Sequence, residues 1–399
     1  MPKQSFFRDL SPSTLVTGFV AVLVGYASSV AIILQAVTTI GVEPSQIGAW
    51  LGVLGVGMGI TTIGLSLYYR TPILTAWSTP GIALLATHFP HTSVNEAIGI
   101  FVFASALMLI CGITGLFAKL MNYIPHSIAA AMLAGILLRF GLDAFSVLQS
   151  NFWLCGIMLL IYVIFRRYFP LYAIISTLTA GLIICIFNGD LNLTGKDILF
   201  SMPEFVMPKF NITTLIGVGI PFFIVTMASQ NAPGIAILQA AGYPPRASQL
   251  LIWTSLATII LAPFGGFSIC IAAITAAICM GDDVHPDPNK RYVAAISAGF
   301  VYLLAGIFGG VIFYLFSGFP TSLIKILAGL ALLSTFTNSL SQAIKDESAR
   351  DAAIICFLIT ASGANLLGIS SAFWGLVGGI ITHLIFKKRL GGRVTLQSK

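Results

Sequence analysis

Charged side chains are scarce in this sequence. Asp, Glu, Lys and Arg make up 8% of its 399 residues, where an ordinary soluble domain carries about 25%. With 57% hydrophobic residues and a mean hydropathy of +0.97, no soluble fold could bury the apolar surface, so the chain reads as membrane-embedded. Catalytic motifs are missing too. There is no Walker loop, no HExxH and no GxSxG, which removes the enzyme classes those motifs serve. CxxC spacing is absent, and Cys111, Cys155, Cys185, Cys270, Cys279 and Cys356 all fall inside apolar segments. They read as buried free thiols, with no metal, disulfide or cofactor role expected. The most telling gap concerns carboxylates. Every Asp and Glu, from Asp9 and Glu96 to Asp346 and Asp351, lies in a loop or near a span end, so no acid sits where a midplane proton relay would be sought.

What is present is a series of long apolar runs. The polar start Met1 to Asp9 precedes a run far longer than a signal-peptide core, which is read as a retained first span. Taking about 20 apolar residues per span, with Pro, Gly and charge marking loops, gives fourteen segments: 12–40, 46–69, 72–88, 93–118, 125–141, 150–168, 170–188, 211–241, 247–262, 266–281, 290–317, 320–342, 350–367 and 371–387. The third and tenth are too short to span as plain helices. Positively charged residues test the count, because cytoplasmic loops are enriched in them. With the N-terminus inside, sixteen fall on the cytoplasmic side: Lys3, Arg8, Arg70, Lys119, Arg166, Arg167, Arg246, Lys290, Arg291, Lys345, Arg350, Lys387, Lys388, Arg389, Arg393 and Lys399. Only Arg139, Lys196 and Lys209 lie outside, with Lys325 inside a span. The net charge of +7 therefore follows topology and implies no nucleic-acid partner. An even span number with both termini cytoplasmic is expected.

The longest polar connection, 188–210, divides the chain into two sets of seven segments, 1–187 and 211–399. An odd number per half inverts the second relative to the first. A trace of the repeat is the recurrence of Ile33-Leu34-Gln35-Ala36, before Gly41 and Pro44, as Ile237-Leu238-Gln239-Ala240 before Gly242 and Pro244. The expected fold is an all-α polytopic membrane protein of 14 transmembrane segments, a 7+7 inverted repeat in which segments 3 and 10 are half-helices.

Those two segments carry the candidate chemistry. Thr75-Ala76-Trp77-Ser78-Thr79-Pro80-Gly81 and Pro263-Phe264-Gly265-Gly266-Phe267-Ser268 interrupt apolar runs with Pro, Gly and hydroxyl residues. Broken backbone at membrane depth is tolerated only where protein buries it or where it lines a cavity. A helix starting there offers unpaired N–H groups and a positive dipole end, an anion site without a basic residue. Ser78 and Thr79 are suited to cap a helix that Pro80 opens at its first position, and Gly81 lets a ligand approach the backbone. Gly266 and Ser268 supply the same chemistry in the second half, while Trp77, Phe264 and Phe267 could stack on a planar ligand or simply pack. Gln230 and Asn231, in the most polar stretch of any long span, need partners that either a substrate or a neighbouring helix supplies. Aligning the repeat through Leu-Gln-Ala sets Tyr26 and Ala27 opposite them, which adds Tyr26 as a weaker candidate.

The motifs Ala76-Trp77-Ser78-Thr79-Pro80-Gly81, Ala228-Ser229-Gln230-Asn231-Ala232-Pro233-Gly234 and Ala262-Pro263-Phe264-Gly265-Gly266-Phe267-Ser268 resemble, in type and order, those of the benzoate:proton symporters of the BenE type. That family is similar in fold to nucleobase permeases of the UraA type and to sulfate-type anion transporters. The resemblance implies a core domain of segments 1–4 and 8–11, a gate domain of segments 5–7 and 12–14, and a substrate site between the breaks facing segments 1 and 8. Dimers through the gate domain are implied by the same analogy. Nucleobase permeases carry glutamates where this chain has Gln230 and Phe267, a departure that suits an aromatic carboxylate and removes the obvious proton carrier. The expectation is a secondary transporter of the cell inner membrane that imports benzoate or a related aromatic carboxylate with a proton by alternating access. Uniport or exchange of another anion or a nucleobase, or an anion channel, are the alternatives.

Overall fold

A computed structural model describes residues 10–88, 93–116, 125–191, 202–244, 246–281, 284–364, 366, 367 and 369–393. Parts of the expected first and last regions and of the 188–210 connection, with Lys3, Arg8, Lys119, Lys196 and Lys399, lie outside the described residues.

The elements in chain order are α1 (Pro12–Ile40), α2 (Pro44–Tyr69), β1 (Thr75–Trp77), α3 (Thr79–His88), α4 (Val94–Thr114), α5 (His126–Ser146), α6 (Phe152–Tyr168), α7 (Ala173–Asn188), α8 (Ile212–Gln239), α9 (Ala247–Leu261), β2 (Ile269–Ile271), α10 (Ile274–Ile278), α11 (Tyr292–Ile307), α12 (Gly309–Ser317), α13 (Thr321–Lys345), α14 (Arg350–Ala361) and α15 (Ser371–Arg393). Among the described residues, seven helices are long and apolar enough to cross a membrane, or eight when the two parts of α1, Pro12–Ala27 and Ser29–Ile40, count as one span bent by 41°. The bend follows Gly25 and Tyr26 and adjoins a Ser-Ser pair, a local composition that kinks helices.

Helix ends follow local chemistry. Ser11 and Thr14 form a capping box at the start of α1, where Pro12 is tolerated because its missing N–H needs no partner. At its other end Gly41 turns left-handed (φ 87°), with Gly41 N–H donating to Thr38 O and Val42 N–H to Val37 O. Gly242 (φ 85°) ends α8 with the same pair of bonds, from Gly242 to Gln239 and from Tyr243 to Leu238.

Small residues set how closely the helices pack. A Cβ at Gly55 of α2 would lie 2.5 Å from Gly306 Cα, one at Gly59 2.8 Å from Gly299 O, and one at Gly309 2.6 Å from Gly48 O. This backbone-to-backbone contact of α2 with α11 and α12 is the kind that holds helices together where lipid removes any hydrophobic drive between them. It also corrects one boundary. The eleventh segment, expected as a single run over 290–317, is two helices interrupted at Phe308 (φ −92°, ψ 17°), because Gly306 and Gly309 are placed for contact with α2 at the cost of helix propensity. Elsewhere α13 packs on α5, α14 on α15 and α5, α9 on α4, and α6 on α7.

The connection before α8 is laid across the ends of α4 and α9. Asn95 Nδ2 donates to Met207 O (2.9 Å), Lys209 N–H to Asn95 O (2.9 Å) and Val206 N–H to Pro263 O (2.8 Å). Glu96, only 9% exposed, pairs with Lys209 at 3.4 Å and accepts from Asn211 Nδ2 at 3.4 Å.

Replacing Gly55 or Gly306 by Ala should destabilise the protein by about 1–3 kcal/mol, the range for overpacking. Gly64→Ala, where nothing lies within 4 Å of the added carbon, should be neutral or stabilising by up to about 1 kcal/mol. Thermal unfolding of the purified variants in detergent checks the contrast.

Candidate functional site

The two interrupted segments meet as a two-stranded antiparallel ribbon in the middle of the helices. Thr75 pairs with Ile271, Ala76 with Cys270 and Trp77 with Ile269. Ser78 N–H donates to Ser268 O (3.1 Å) and Ala272 N–H to Leu74 O (2.9 Å). The alternation of an antiparallel ladder therefore turns the N–H groups of Thr75, Trp77, Ile269 and Ile271 outward. In an apolar interior such groups must find partners inside the protein. Thr62 Oγ1 on α2 accepts from Thr75 N–H (3.0 Å), Thr258 Oγ1 on α9 from Ile269 N–H (2.9 Å) and Asn231 Oδ1 on α8 from Ile271 N–H (3.0 Å). The Thr75 hydroxyl lies 2.7 and 2.8 Å from those of Thr61 and Thr62 and donates to Met58 O.

Past β1, Ser78 caps α3. Its hydroxyl accepts from Gly81 N–H (3.1 Å) and from the Thr226 hydroxyl (3.0 Å), and its carbonyl accepts from Ile82 N–H (2.9 Å). Pro80 is thus the second helical residue, not the first as expected, because Ser78 alone is the cap. Thr79 instead donates to Ser29 Oγ of α1 at 3.1 Å. Gly81 leaves no opening for a ligand: a Cβ there would lie 2.9 Å from Thr226 Oγ1 and 3.1 Å from Phe222 Cε2, so its bare face is filled by α8.

The second break differs from the expected half-helix start. After a 3-10 turn at Ala262–Phe264, Gly265 (φ 92°) and Ser268 (φ 50°) swing the chain into β2, and only at Ile274 does a five-residue helix begin. Gly266 and Ser268 precede a strand, not a helix, because β-branched Ile269 and Ile271 extend and pair with β1. Two facing helix starts are therefore reduced to one, that of α3. Phe267 is fully buried, stacked on Phe101 (centroids 5.2 Å apart) and tilted against Trp50 (6.4 Å), so its ring serves packing. Phe264 packs edge-on against Phe205 of the connection.

The residues left with unused polarity lie around the crossing. Tyr26, at the bend of α1, meets Trp77 edge-to-face (4.8 Å) and tilts toward Tyr302 (6.1 Å), and its buried hydroxyl has no hydrogen-bond partner. The Ser268 hydroxyl is also buried and unpaired. Gln230 and Asn231 belong to a π-helical turn, Met227–Asn231, a wide turn that recurs at functional sites. It sends Asn231 inward, fully buried, to Ile271, with Nδ2 3.5 Å from the sulfurs of Met108 and Met227. Gln230 stays half-buried with no hydrogen bond among the described residues. Among the described residues, no Asp, Glu, His, Lys or Arg hydrogen-bonds, ion-pairs or ring-stacks with Tyr26, Trp77, Ser78, Thr79, Gln230 or Ser268.

Thus Ser78, Thr79, Ser268, Tyr26 and Asn231 are joined around the crossing, while Gly81, Gly266 and Phe267 are packed behind them and Gln230 is only the chain neighbour of Asn231. Sequence reading missed Thr62, Thr226, Thr258 and Tyr302. Thr254 and Thr258, four apart in the apolar half of α9, were a usable signal, since hydroxyls in a span require partners.

A profile of the benzoate membrane transport protein family, BenE, matches residues 8–385. The chain belongs to this family. Among BenE relatives, the benzoate membrane transport protein of Acinetobacter baylyi is 39% identical over 381 residues, 96% of this chain and 97% of that one. The inner membrane protein YdcO of Escherichia coli is 51% identical over 379 residues, 94% and 96% of the two chains. Two solved structures share the fold at 13% identity: the transmembrane domain of the cyanobacterial bicarbonate transporter BicA (TM-score 0.58; 94% of this chain, 98% of that one) and SLC26A9 (TM-score 0.62; 96% and 67%). The chain is therefore a membrane transporter, not an enzyme, and shares its fold with BicA and SLC26A9.

Ser78→Ala should cost about 0.5–2 kcal/mol through the lost cap, and Phe267→Ala about 3–5 kcal/mol through the lost ring. Thermal unfolding without substrate measures both. A Phe267 ring free to serve a ligand would show little loss.

Proposed function

We propose that this protein is a secondary transporter of the inner membrane that imports benzoate or a related aromatic carboxylate with a proton, bound at the β1–β2 crossing. The observation that carries the reading is an uncharged, aromatic and hydroxyl-lined crossing: the Tyr26–Trp77 pair, the capped start of α3, and unpaired hydroxyls on Tyr26 and Ser268. The helix end contributes about 0.3–1 kcal/mol toward an anion, up to about 2 when partly buried. Hydroxyl donors and ring contacts supply the remainder. Family membership supports an aromatic carboxylate as cargo.

Several features support alternating access between a core of segments 1–4 and 8–11 and a gate of segments 5–7 and 12–14, in a 7+7 inverted repeat with both termini cytoplasmic. The matching caps at Gly41 and Gly242 fit the repeat. Aligned on these caps, Ser29 and Val30 stand opposite Gln230 and Asn231, a shift of three residues from the Leu-Gln-Ala match. The glycine contact of α2 with α11 binds core helices to each other, and α5, α13, α14 and α15 pack together as the gate. On the proposed outer side the two bodies touch where Ser370 Oγ donates to Gly217 O of α8. A homodimer through the gate is carried over from the fold analogy alone.

The proton, on this proposal, travels on the substrate. Glu96 is engaged by Lys209 and Asn211. A carboxylate moved into an uncharged site has its pKa raised by desolvation, which favours the neutral acid. Uniport is the second reading, favoured by the same uncharged crossing.

Uptake of labelled benzoate into proteoliposomes should rise with an imposed inward proton gradient and remain gradient-dependent in Glu96→Gln. Benzenesulfonate, which stays ionised, should show no gradient-driven accumulation. Tyr26→Phe and Ser268→Ala should raise the half-saturating benzoate concentration several-fold, while Cys155→Ala should not. Initial rates that ignore the gradient would leave uniport as the function.

A further inference from the structure

The crossing is bonded by side chains from three helices, each of them engaged within the protein. A ribbon of three residues per strand is too short to be stable alone, and its alignment must be specified from outside. Thr62, Thr258 and Asn231 are each fully buried. Thr62 engages both the N–H and the hydroxyl of Thr75. Thr258 donates to Thr254 O (3.0 Å) while accepting from Ile269 N–H. Asn231 spends its oxygen on Ile271 N–H, and its amide faces two methionine sulfurs.

We propose that Thr62, Thr258 and Asn231 are positioning residues that lock β1 against β2 in one register, and through it hold Ser78 and Ser268 at the separation a carboxylate substrate requires. The proposal rests on the crossing being the substrate site. It gives Asn231 a role other than substrate contact. The physical basis is that the acceptors tie the N–H groups of Thr75, Ile269 and Ile271 to fixed points on the surrounding helices, so that any slip of β2 breaks the bonds to Thr258 and Asn231 and turns its side chains to the opposite face. The same slip moves Ser268 about 3.3 Å along β1, enough to break the bond from Ser78 N–H to its carbonyl. The three locks come from α2, α9 and α8, so the register also ties these helices to the crossing.

The register can be read without transport. Ala76 and Cys270 are directly paired, a hydrogen-bonded position with Cα atoms about 5.5 Å apart and within disulfide reach. In protein whose other five cysteines are replaced by Ala, Ala76→Cys should cross-link to Cys270 with a membrane-permeant oxidant. Adding Thr62→Val, Thr258→Val or Asn231→Leu should slow cross-linking at least about twofold. In separate protein without Ala76→Cys, the same three changes should raise the half-saturating benzoate concentration about fivefold or more, since each strands a buried N–H. Thr62→Ser and Thr258→Ser, which keep the hydroxyl, should stay near the parent in both readouts. Valine variants that fold and retain parental cross-linking and half-saturation would overturn the proposal, as would serine variants impaired as much as valine ones. Failure of the site reading looks different: cross-linking would respond as expected while Tyr26→Phe and the valine variants transport normally.

Discussion

Extended backbone inside an apolar interior has to find every hydrogen-bond partner within the protein, and the centre of this molecule is arranged around that requirement. Two chain segments abandon the helix at the same depth, and each satisfies part of the other through the β1–β2 ladder. Of the N–H groups that face away from the ladder, those of Thr75, Ile269 and Ile271 go to Thr62, Thr258 and Asn231. An unsatisfied group in such surroundings costs several kcal/mol, comparable to a large share of a typical stability. The two breaks are therefore one structural unit, and neither could persist without the other and the three helices beside it.

Electrostatics follows from the same economy of charge. Ionised side chains at the crossing would carry a desolvation cost that only close pairing offsets, and the described residues place none there. Attraction for an anion is left to dipoles: hydroxyl groups and the start of α3. Dipoles at fixed positions favour a ligand by orientation, so selectivity depends on how well the scaffold holds them. The left-handed backbone at Ser268 (φ 50°) is a strained conformation for a residue other than glycine. It is held by Ser78 N–H on the Ser268 carbonyl and by the ladder that follows at Ile269, and it leaves the Ser268 hydroxyl buried and unpaired.

Much of this was legible in sequence, and the limits have physical causes. The scarcity of charge and the runs of apolar residues identified a membrane protein, and the two interruptions marked where its backbone leaves the helix. Ser78 announced itself as a cap because Ser-Thr-Pro-Gly is a helix-start pattern. The second break was misread because Gly-Gly-Phe-Ser carries the same residue types, while the outcome was decided by a partner strand 190 and more residues away in sequence. Phe267 was misassigned for a related reason. An aromatic ring beside a glycine pair looks available, and only tertiary packing on Phe101 and Trp50 shows where it goes. Asn231 looked like a ligand for the substrate because a polar amide in a span needs a partner, and the sequence did not say that the partner is a backbone N–H.

The helices around the crossing are unequal in regularity, and the inequality has consequences for motion. α2 is locked to α11 and α12 by contacts in which even a methyl group would collide with backbone. α1 and α8, the two helices that present Tyr26 and Gln230, are by contrast interrupted, one by a 41° bend and the other by π turns at Leu215–Gly219 and Met227–Asn231. A π turn closes i→i+5 bonds in place of the i→i+4 bonds of an α-helix, so a return to regular helix shifts the register of everything beyond it. Such a return would rotate the residues beyond it by roughly 100° about the axis. In α8 that rotation would withdraw Asn231 from Ile271 and carry Gln230 with it. On that geometry the π turn at Met227–Asn231 and the bond from Ile271 N–H to Asn231 stand or fall together, while the contacts of α2 with α11 and α12 do not depend on it.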